Sequence, residues 1–315
     1  SDSLPMDMGA ARSWKSDQVA SMAATMSEGE WFPEDIEEVH ALLAETDARN
    51  TADNPVWVAQ PSDFAAKKKK ANDPDTPTYM EAMSGDDAES FWEAMQKEIE
   101  ALVKRKTWSV VPRSVAGDSD IVPGTWAFKK KRRPDGTFRK HKARFCVRGD
   151  VQKRMSEASG FEAEDTYAPV VSWTTVRLML VLTIILGLET QQIDFSNAFA
   201  QADLPKPVYL ELPRDFPAAN GQDMVLQLHK SLYGQIEAPK LWYEKLKAGL
   251  EERNFTCCGN IDPCLFISSK VICISYVDDV CWFARDRKDI DKVLDSFDDD
   301  GDKYNWEMTR EGAVN

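Results

Sequence analysis

Two adjacent carboxylates, Asp278 and Asp279, stand inside a run of apolar and aromatic residues that extends from Ile274 to Phe283. The β-branched and aromatic residues on either side predict two short strands, with the acids at or near their connection. A buried carboxylate is unfavourable without a cation. Neighbouring carboxylates also repel, which pushes one of them toward its neutral form. A divalent metal removes that conflict. Taken alone, the segment is also accounted for as an ordinary hairpin whose Asp residues favour the turn.

A third carboxylate stands in a similar setting. The stretch Gln192-Ile193-Asp194-Phe195 ends an apolar segment with an acid, and Phe199 follows five residues later. Further signatures flank these: Trp126-Ala127-Phe128-Lys129, Lys142-Ala143-Arg144, Tyr167-Ala168-Pro169-Val170-Val171, Lys230-Ser231-Leu232-Tyr233-Gly234 and Ala238-Pro239-Lys240-Leu241-Trp242. In this order, the set resembles the reverse transcriptase of copia-type LTR retrotransposons from about Pro77 to Thr309. Several ordered motifs carry far more weight than any one of them.

The resemblance implies an α+β fold with fingers and palm, the palm built on an antiparallel sheet, over residues 77–315. Residues 1–76 would be a linker-like segment lying between integrase and polymerase. Thumb or connection and RNase H regions would lie beyond Asn315 and are expected to be absent here. The activity implied is RNA-directed DNA synthesis on a primed RNA or DNA template, with deoxynucleoside triphosphates as substrates. Two Mg²⁺ ions, or Mn²⁺ in their place, would be held by Asp194 and Asp278, with Asp279 adding charge and orienting the pair. Phe199 would exclude a 2′-hydroxyl, although it also reads as a plain core Phe. Lys129, Lys142, Arg144 and Tyr233 would bind the nucleotide, and Lys130, Lys140, Arg148 and Tyr276 the nucleic acid. The other segments of a Pol polyprotein would be its partners, in an intracellular particle or the nucleus.

A net charge of −14 is awkward for an enzyme that must hold phosphates. The distribution answers part of this, because acids crowd the two ends while cations fill residues 129–154. Within that block Arg133-Pro134-Asp135-Gly136-Thr137 predicts a turn between two extended segments. On the second segment Lys140, Lys142, Arg144 and Arg148 alternate with Ala143, Phe145 and Val147, so the cations share one face. Such a face suits phosphates, and it also suits an edge strand that resists pairing through its charge.

The remaining segments carry structural expectations. Ser90-Phe91-Trp92-Glu93 fits a capping box, opening a helix whose core face would be Trp92, Met95, Ile99 and Leu102. Residues 174–188 form an almost wholly apolar helix, too short to span a bilayer and expected to be buried on all sides. Thr107-Trp108 and residues 208–212 read as strands, and Pro239 starts a helix carrying Trp242, Leu246 and Leu250. In the N-terminal region residues 34–44 read as a short acidic helix. Lys67-Lys68-Lys69-Lys70 reads as a solvated linker, or as a nuclear-import or RNA-tethering patch.

The six cysteines form no C-x-x-C pair, which predicts reduced thiols and, with three histidines, no zinc site. The acidic run 298–302 lacks the terminal Glu of a calcium loop and reads as a solvated turn. One departure from the resembled family is notable: Gln235-Ile236-Glu237 stands where Leu-Lys-Gln is usual. A cation is lost there and an anion gained. This leaves open a second reading, a truncated or decayed polymerase that binds nucleic acid without catalysis, and a third, a structural domain of a particle-forming polyprotein.

Overall fold

The computed structural model describes residues 73–133, 135–152, 166–213, 223–298 and 302–314. The expected helix at 34–44 and the Lys67–Lys70 patch lie outside them. The chain divides into two compact units, one of residues 169–196 and 246–314, the other of residues 73–168 and 197–245.

The second unit begins with α1 (Tyr79–Ser84), which carries the capping box: Thr78 accepts from Glu81 N–H and Glu81 accepts from Thr78 N–H. Ser90–Glu93 forms no cap, because α2 (Ala88–Lys104) starts two residues before Ser90. The buried stripe of α2 is Phe91, Met95, Glu98 and Leu102, and Trp92 is exposed. The stripe is therefore rotated from the expected one, and a carboxylate occupies its middle.

Beyond α2 come β1 (Trp108–Pro112), β2 (Ile121–Val122) and the antiparallel hairpin of β3 (Gly124–Arg132) and β4 (Phe138–Val147). With β6 (Asp203–Glu211) and β7 (Met224–Lys230), β1 and β2 make a four-stranded sheet in the order β1-β7-β6-β2. One core joins these parts: Leu102, Trp108, Phe145, Val147, Leu210, Leu226 and Leu228 are packed together and buried.

In the first unit α3 (Trp173–Leu186) ends at Gly187, whose φ of 60° is the left-handed conformation glycine adopts readily. The chain then runs directly into β5 (Glu189–Phe195). The second half of α4 (Ala238–Glu251), β8 (Thr256–Cys257), β9 (Leu265–Ile267), β10 (Val271–Tyr276), β11 (Asp279–Ala284), α5 (Arg287–Asp295) and β12 (Met308–Gly312) complete the unit. The strand order is β12-β5-β11-β10-β9-β8, and every pairing is antiparallel. The run β5-α4-β10-β11-α5-β12 is a split β-α-β arrangement.

Register assigns the side chains to two faces. Ile193, Phe195, Val280 and Trp282 are buried on one, where Phe297 packs edge-on and Trp306 tilted against Phe195. The opposite face carries Asp194 and Asp279 at one end, and its other end is covered by Met179 and Leu182 of α3 packed with Ile272, Ile274 and Phe283. The expectation of a helix buried all round is thereby corrected. Thr175, Met179 and Leu182 are buried, whereas Trp173, Leu180, Val181, Ile184 and Ile185 are exposed. Packing covers one face, and apolar composition alone does not supply a second neighbour. No helix among the described residues is long and apolar enough to cross a membrane.

Candidate active site

The acids converge through strand pairing. β5 and β11 are in register with Asp194 opposite Asp279. Phe195 N–H donates to the Asp278 carbonyl at 2.8 Å, which fixes the β10–β11 connection against the end of β5. That connection is the two residues Val277-Asp278, closed by the pairing of Tyr276 with Asp279. Asp278 therefore sits in the turn and Asp279 on the strand, a division finer than the expectation that both acids lie at or near the connection.

Val277 has φ of 58°, at a turn position that normally takes glycine. A β-branched residue in this region is strained by about 1–2 kcal/mol. The backbone carrying the acids is thus held in place by its surroundings against local preference.

Burial pushes the Asp279 carboxyl above its ordinary value, and the charges of Asp278, Asp194 and Glu311 push it the same way. Gln192 opposes this through an amide hydrogen bond to Asp279 Oδ1 at 3.5 Å. Mutual repulsion of this kind is what a divalent cation relieves. Among the described residues no three or more His, Cys, Asp or Glu side chains form a ready-made metal cage. Mg²⁺ shared between one or two carboxylates, substrate phosphates and water requires none, so the donor set fits such an ion. Asp194 and Asp278 could hold it.

Gln192 and Glu311 were not anticipated. Gln192 lies two residues before Asp194 and so shares its face, a signal present in the period of the strand. Glu311 comes into range through an irregularity in β12 between Arg310 and Gly312, which no sequence pattern announces.

The cations belong to the second unit. In the β3–β4 hairpin Lys129 faces Lys142 and Lys131 faces Lys140. Like charges directly opposite one another are unfavourable until an anion arrives. Burial pushes Lys142 down to about 8, and Arg144, Lys131 and Lys140 add to the effect while Glu98 opposes it. The Arg144 guanidinium lies 4.4 Å from the centre of the Tyr233 ring, and Tyr233 packs edge-on against Phe199 at 4.9 Å. Three residues separated in sequence thus form one stack, at half-buried positions that leave part of each side chain accessible.

The other expected cations differ among themselves. Lys129 and Lys140 are exposed on the hairpin. Lys130 is ion-paired with Asp87, and Arg148, past the end of β4, is held by both carboxylate oxygens of Asp150 at 2.7 Å. Tyr276, in the first unit, is exposed.

The unusual Gln235-Ile236-Glu237 segment is locally satisfied. Gln235 Oε1 accepts from Leu232 N–H, and Glu237 accepts from the Gln152 amide at 2.8 and 3.1 Å. All six cysteines are free thiols. Burial pushes Cys258 and Cys264 up to about 12, so these two are neutral.

The sequence matches the family of reverse transcriptases (RNA-dependent DNA polymerases) over residues 105–303. It is 31% identical over 228 residues to the retrovirus-related Pol polyprotein from transposon TNT 1-94 of Nicotiana tabacum, covering 71% of this chain and 17% of that one. The transposon RE2 Pol polyprotein of Arabidopsis thaliana is 30% identical over 223 residues, covering 70% and 15%. The transposon Ty1-LR2 Gag-Pol polyprotein of Saccharomyces cerevisiae is 30% identical over 217 residues, covering 65% and 11%. The chain thus spans less than a fifth of the length of these curated relatives. A telomerase structure from Candida albicans superimposes with a TM-score of 0.33 and 9% identity, covering 71% of this chain and 47% of that one, which is too weak to bear on the fold. Motifs in order, an acid pair in a tight hairpin and a family match over most of the described residues agree, and the chain belongs to the reverse transcriptase family.

Proposed function

We propose that the chain is the polymerase segment of a retrotransposon Pol polyprotein and transfers deoxynucleotides to a primer 3′-hydroxyl on an RNA or DNA template. The observation that carries this reading is the in-register pairing of Asp194 with Asp279 beside the turn residue Asp278. Two bound Mg²⁺ ions would supply an activated 3′-hydroxyl and charge stabilisation for the leaving pyrophosphate.

The protein's own residues do the rest. Asp194 and Asp278 present oxygens from two adjacent structural elements, and Gln192 orients Asp279 beside them. Lys142 and Arg144 neutralise phosphate oxygens, and the Tyr233–Phe199 pair offers an aromatic wall to the sugar or base. Phe199, at half-buried exposure, would reject a 2′-hydroxyl by bulk. Lys129, exposed and facing Lys142, would join Lys142 and Arg144 at the nucleotide, and Lys140, also exposed, would meet the template–primer backbone. Lys130 and Arg148 would do so only by exchanging their present carboxylate partners for phosphate.

Primer extension on poly(rA)·oligo(dT) with dTTP and Mg²⁺ tests the reading. The parent chain is expected to extend the primer, and Asp194→Asn and Asp278→Asn are expected to abolish extension while unfolding at the parent's temperature within a few degrees. Normal extension by either variant refutes these assignments. Salt-dependent RNA binding with no extension by the parent would favour a non-catalytic remnant instead.

A further inference from the structure

The buried stripe of α2 holds one residue that apolar packing does not explain. Glu98 is 8% exposed, one helical turn from Met95 and Leu102. A carboxylate in such a place is costly unless it is bonded and paired. Its partners are specific. β4 is bonded to β3 along one edge only, so outward amides on its other edge need separate acceptors. Val147 N–H finds the Tyr233 carbonyl at 2.8 Å, and Phe145 N–H finds Glu98 Oε1 at 3.4 Å.

The same carboxylate lines one cleft with Lys140 and Lys142 of β4. Lys142 and Arg144 both act on Glu98, and Glu98 in turn acts on Lys142 and on Cys146. The charged groups acting on Lys142 are Arg144 and Lys140 from its own strand, Lys131 from β3 and Glu98 from α2. Lys142 also borders a cleft of about 370 Å³, whose walls include Glu93, Lys97, Glu98, Lys140 and His141. Arg144, Lys131 and Lys140 thus act on Lys142, Lys129 faces it across the hairpin, and one buried carboxylate opposes them.

We propose that Glu98 is a positioning residue for phosphate binding: it fastens the free edge of β4 and places a buried carboxylate in the wall of the cleft that Lys142 also lines. The inference rests on the reading of the hairpin as the triphosphate-binding element. Burial pushes the Glu98 carboxyl up while Phe145 N–H and the two cations hold it down. The linkage therefore acts above the ordinary carboxylate range and fades in acid, where Glu98 takes up a proton.

Glu98→Gln keeps the shape and the acceptor for Phe145 N–H while removing the charge. Lys142, now at about 8, is expected to fall to ~7 when one opposing charge is lost. Its charged fraction at pH 8 then drops from about one half to about one tenth. The measurement is twofold: NMR titration of ¹³Cε-labelled lysine, assigned with Lys142→Arg, and calorimetric binding of dTTP with Mg²⁺ at pH 6 and pH 8.

The expected result is a lowered Lys142 titration, a Kd for dTTP about fivefold weaker at pH 8, and a Kd within twofold of the parent at pH 6. In a Lys142→Arg background, whose guanidinium stays charged, Glu98→Gln is expected to change the Kd less than twofold at either pH. An unchanged Lys142 titration overturns the proposal. So does equal weakening at both pH values and in the Arg background, since that marks a purely structural carboxylate. Should the parent bind no dTTP while the Lys142 titration still falls, the Glu98–Lys142 linkage stands and the nucleotide-binding reading fails.

Discussion

Gly234 lies where two requirements meet, and replacing it with alanine separates them. Its φ is 88°, and a Cβ built there would come within 2.2 Å of the Val147 carbonyl oxygen. The conformation alone costs a non-glycine residue about 1–2 kcal/mol. Relieving the contact requires a main-chain shift of roughly 1 Å, since such atoms sit about 3.4 Å or more apart. The shift acts on a segment held by the bond from Val147 N–H to the Tyr233 carbonyl. Loss of that buried bond adds about 1–3 kcal/mol. Alanine recovers about 0.4–1 kcal/mol by restricting the unfolded chain. The net expectation is a loss of about 2–3 kcal/mol, a large share of a typical domain's stability. Gly136 is the control. Its φ is 82°, yet nothing lies within 4 Å of its absent Cβ, so Gly136→Ala should cost only the conformational ~1 kcal/mol. Urea unfolding followed by tryptophan fluorescence reads both. Because Tyr233, whose ring packs on Arg144, precedes Gly234, Gly234→Ala should also weaken dTTP binding in conditions where the protein remains folded. A Gly234→Ala variant as stable as Gly136→Ala would show that the close approach to Val147 does not constrain the loop.

Asp279 yields a pH prediction whose sign follows from its raised carboxyl. The folded state prefers the neutral form, so stability is lost as pH rises from below the ordinary carboxylate value through the folded one. In EDTA, Asp279→Asn should therefore unfold at a higher temperature than the parent at pH 7, with the gain vanishing near pH 3. Adding Mg²⁺ at ten times its Kd should stabilise the parent by about 1.4 kcal/mol, an increment that Asp194→Asn and Asp278→Asn should lack in calorimetric scans. On α3, Met179→Ala should cost about 2–5 kcal/mol, whereas Ile184→Ser, at an 82% exposed position, should change stability by less than about 0.5 kcal/mol in the same urea assay.

Strand-borne features were legible in the sequence, because alternation and turn chemistry are local. The run from Ile274 to Phe283 predicted a hairpin with the acids at its connection, and it pairs as Tyr276 with Asp279. Alternation along 142–147 predicted which face of β4 is buried, and Ala143, Phe145 and Val147 are buried. Helix faces were harder to read. On α2 two aromatic residues, Phe91 and Trp92, compete for one inward position, and only the shape of the β3–β4 hairpin decides for Phe91, which packs edge-on against Phe128. On α3 nearly every position is apolar, so periodicity carries no information about direction. What covers a face depends on distant strands, here β9 and β10 of the six-stranded sheet.

The site divides along the same line. Asp194, Asp278 and Asp279 stood out because each borders an apolar stretch, where an acid is conspicuous, and the resemblance made them candidates. The residues that tune them were not. Gln192 is unremarkable in sequence, and its value lies in pointing the same way as Asp194. Glu98 is one of several acids on a charged helix, and only its place in the 91–95–98–102 stripe marks it as buried. The net charge of −14 is part of this. A chain so acidic can hold phosphates only if its cations are kept together, and four lysines facing one another across β3 and β4 repel until a polyanion or a buried carboxylate offsets them. Glu98 supplies the internal half of that compensation, and the substrate would supply the other.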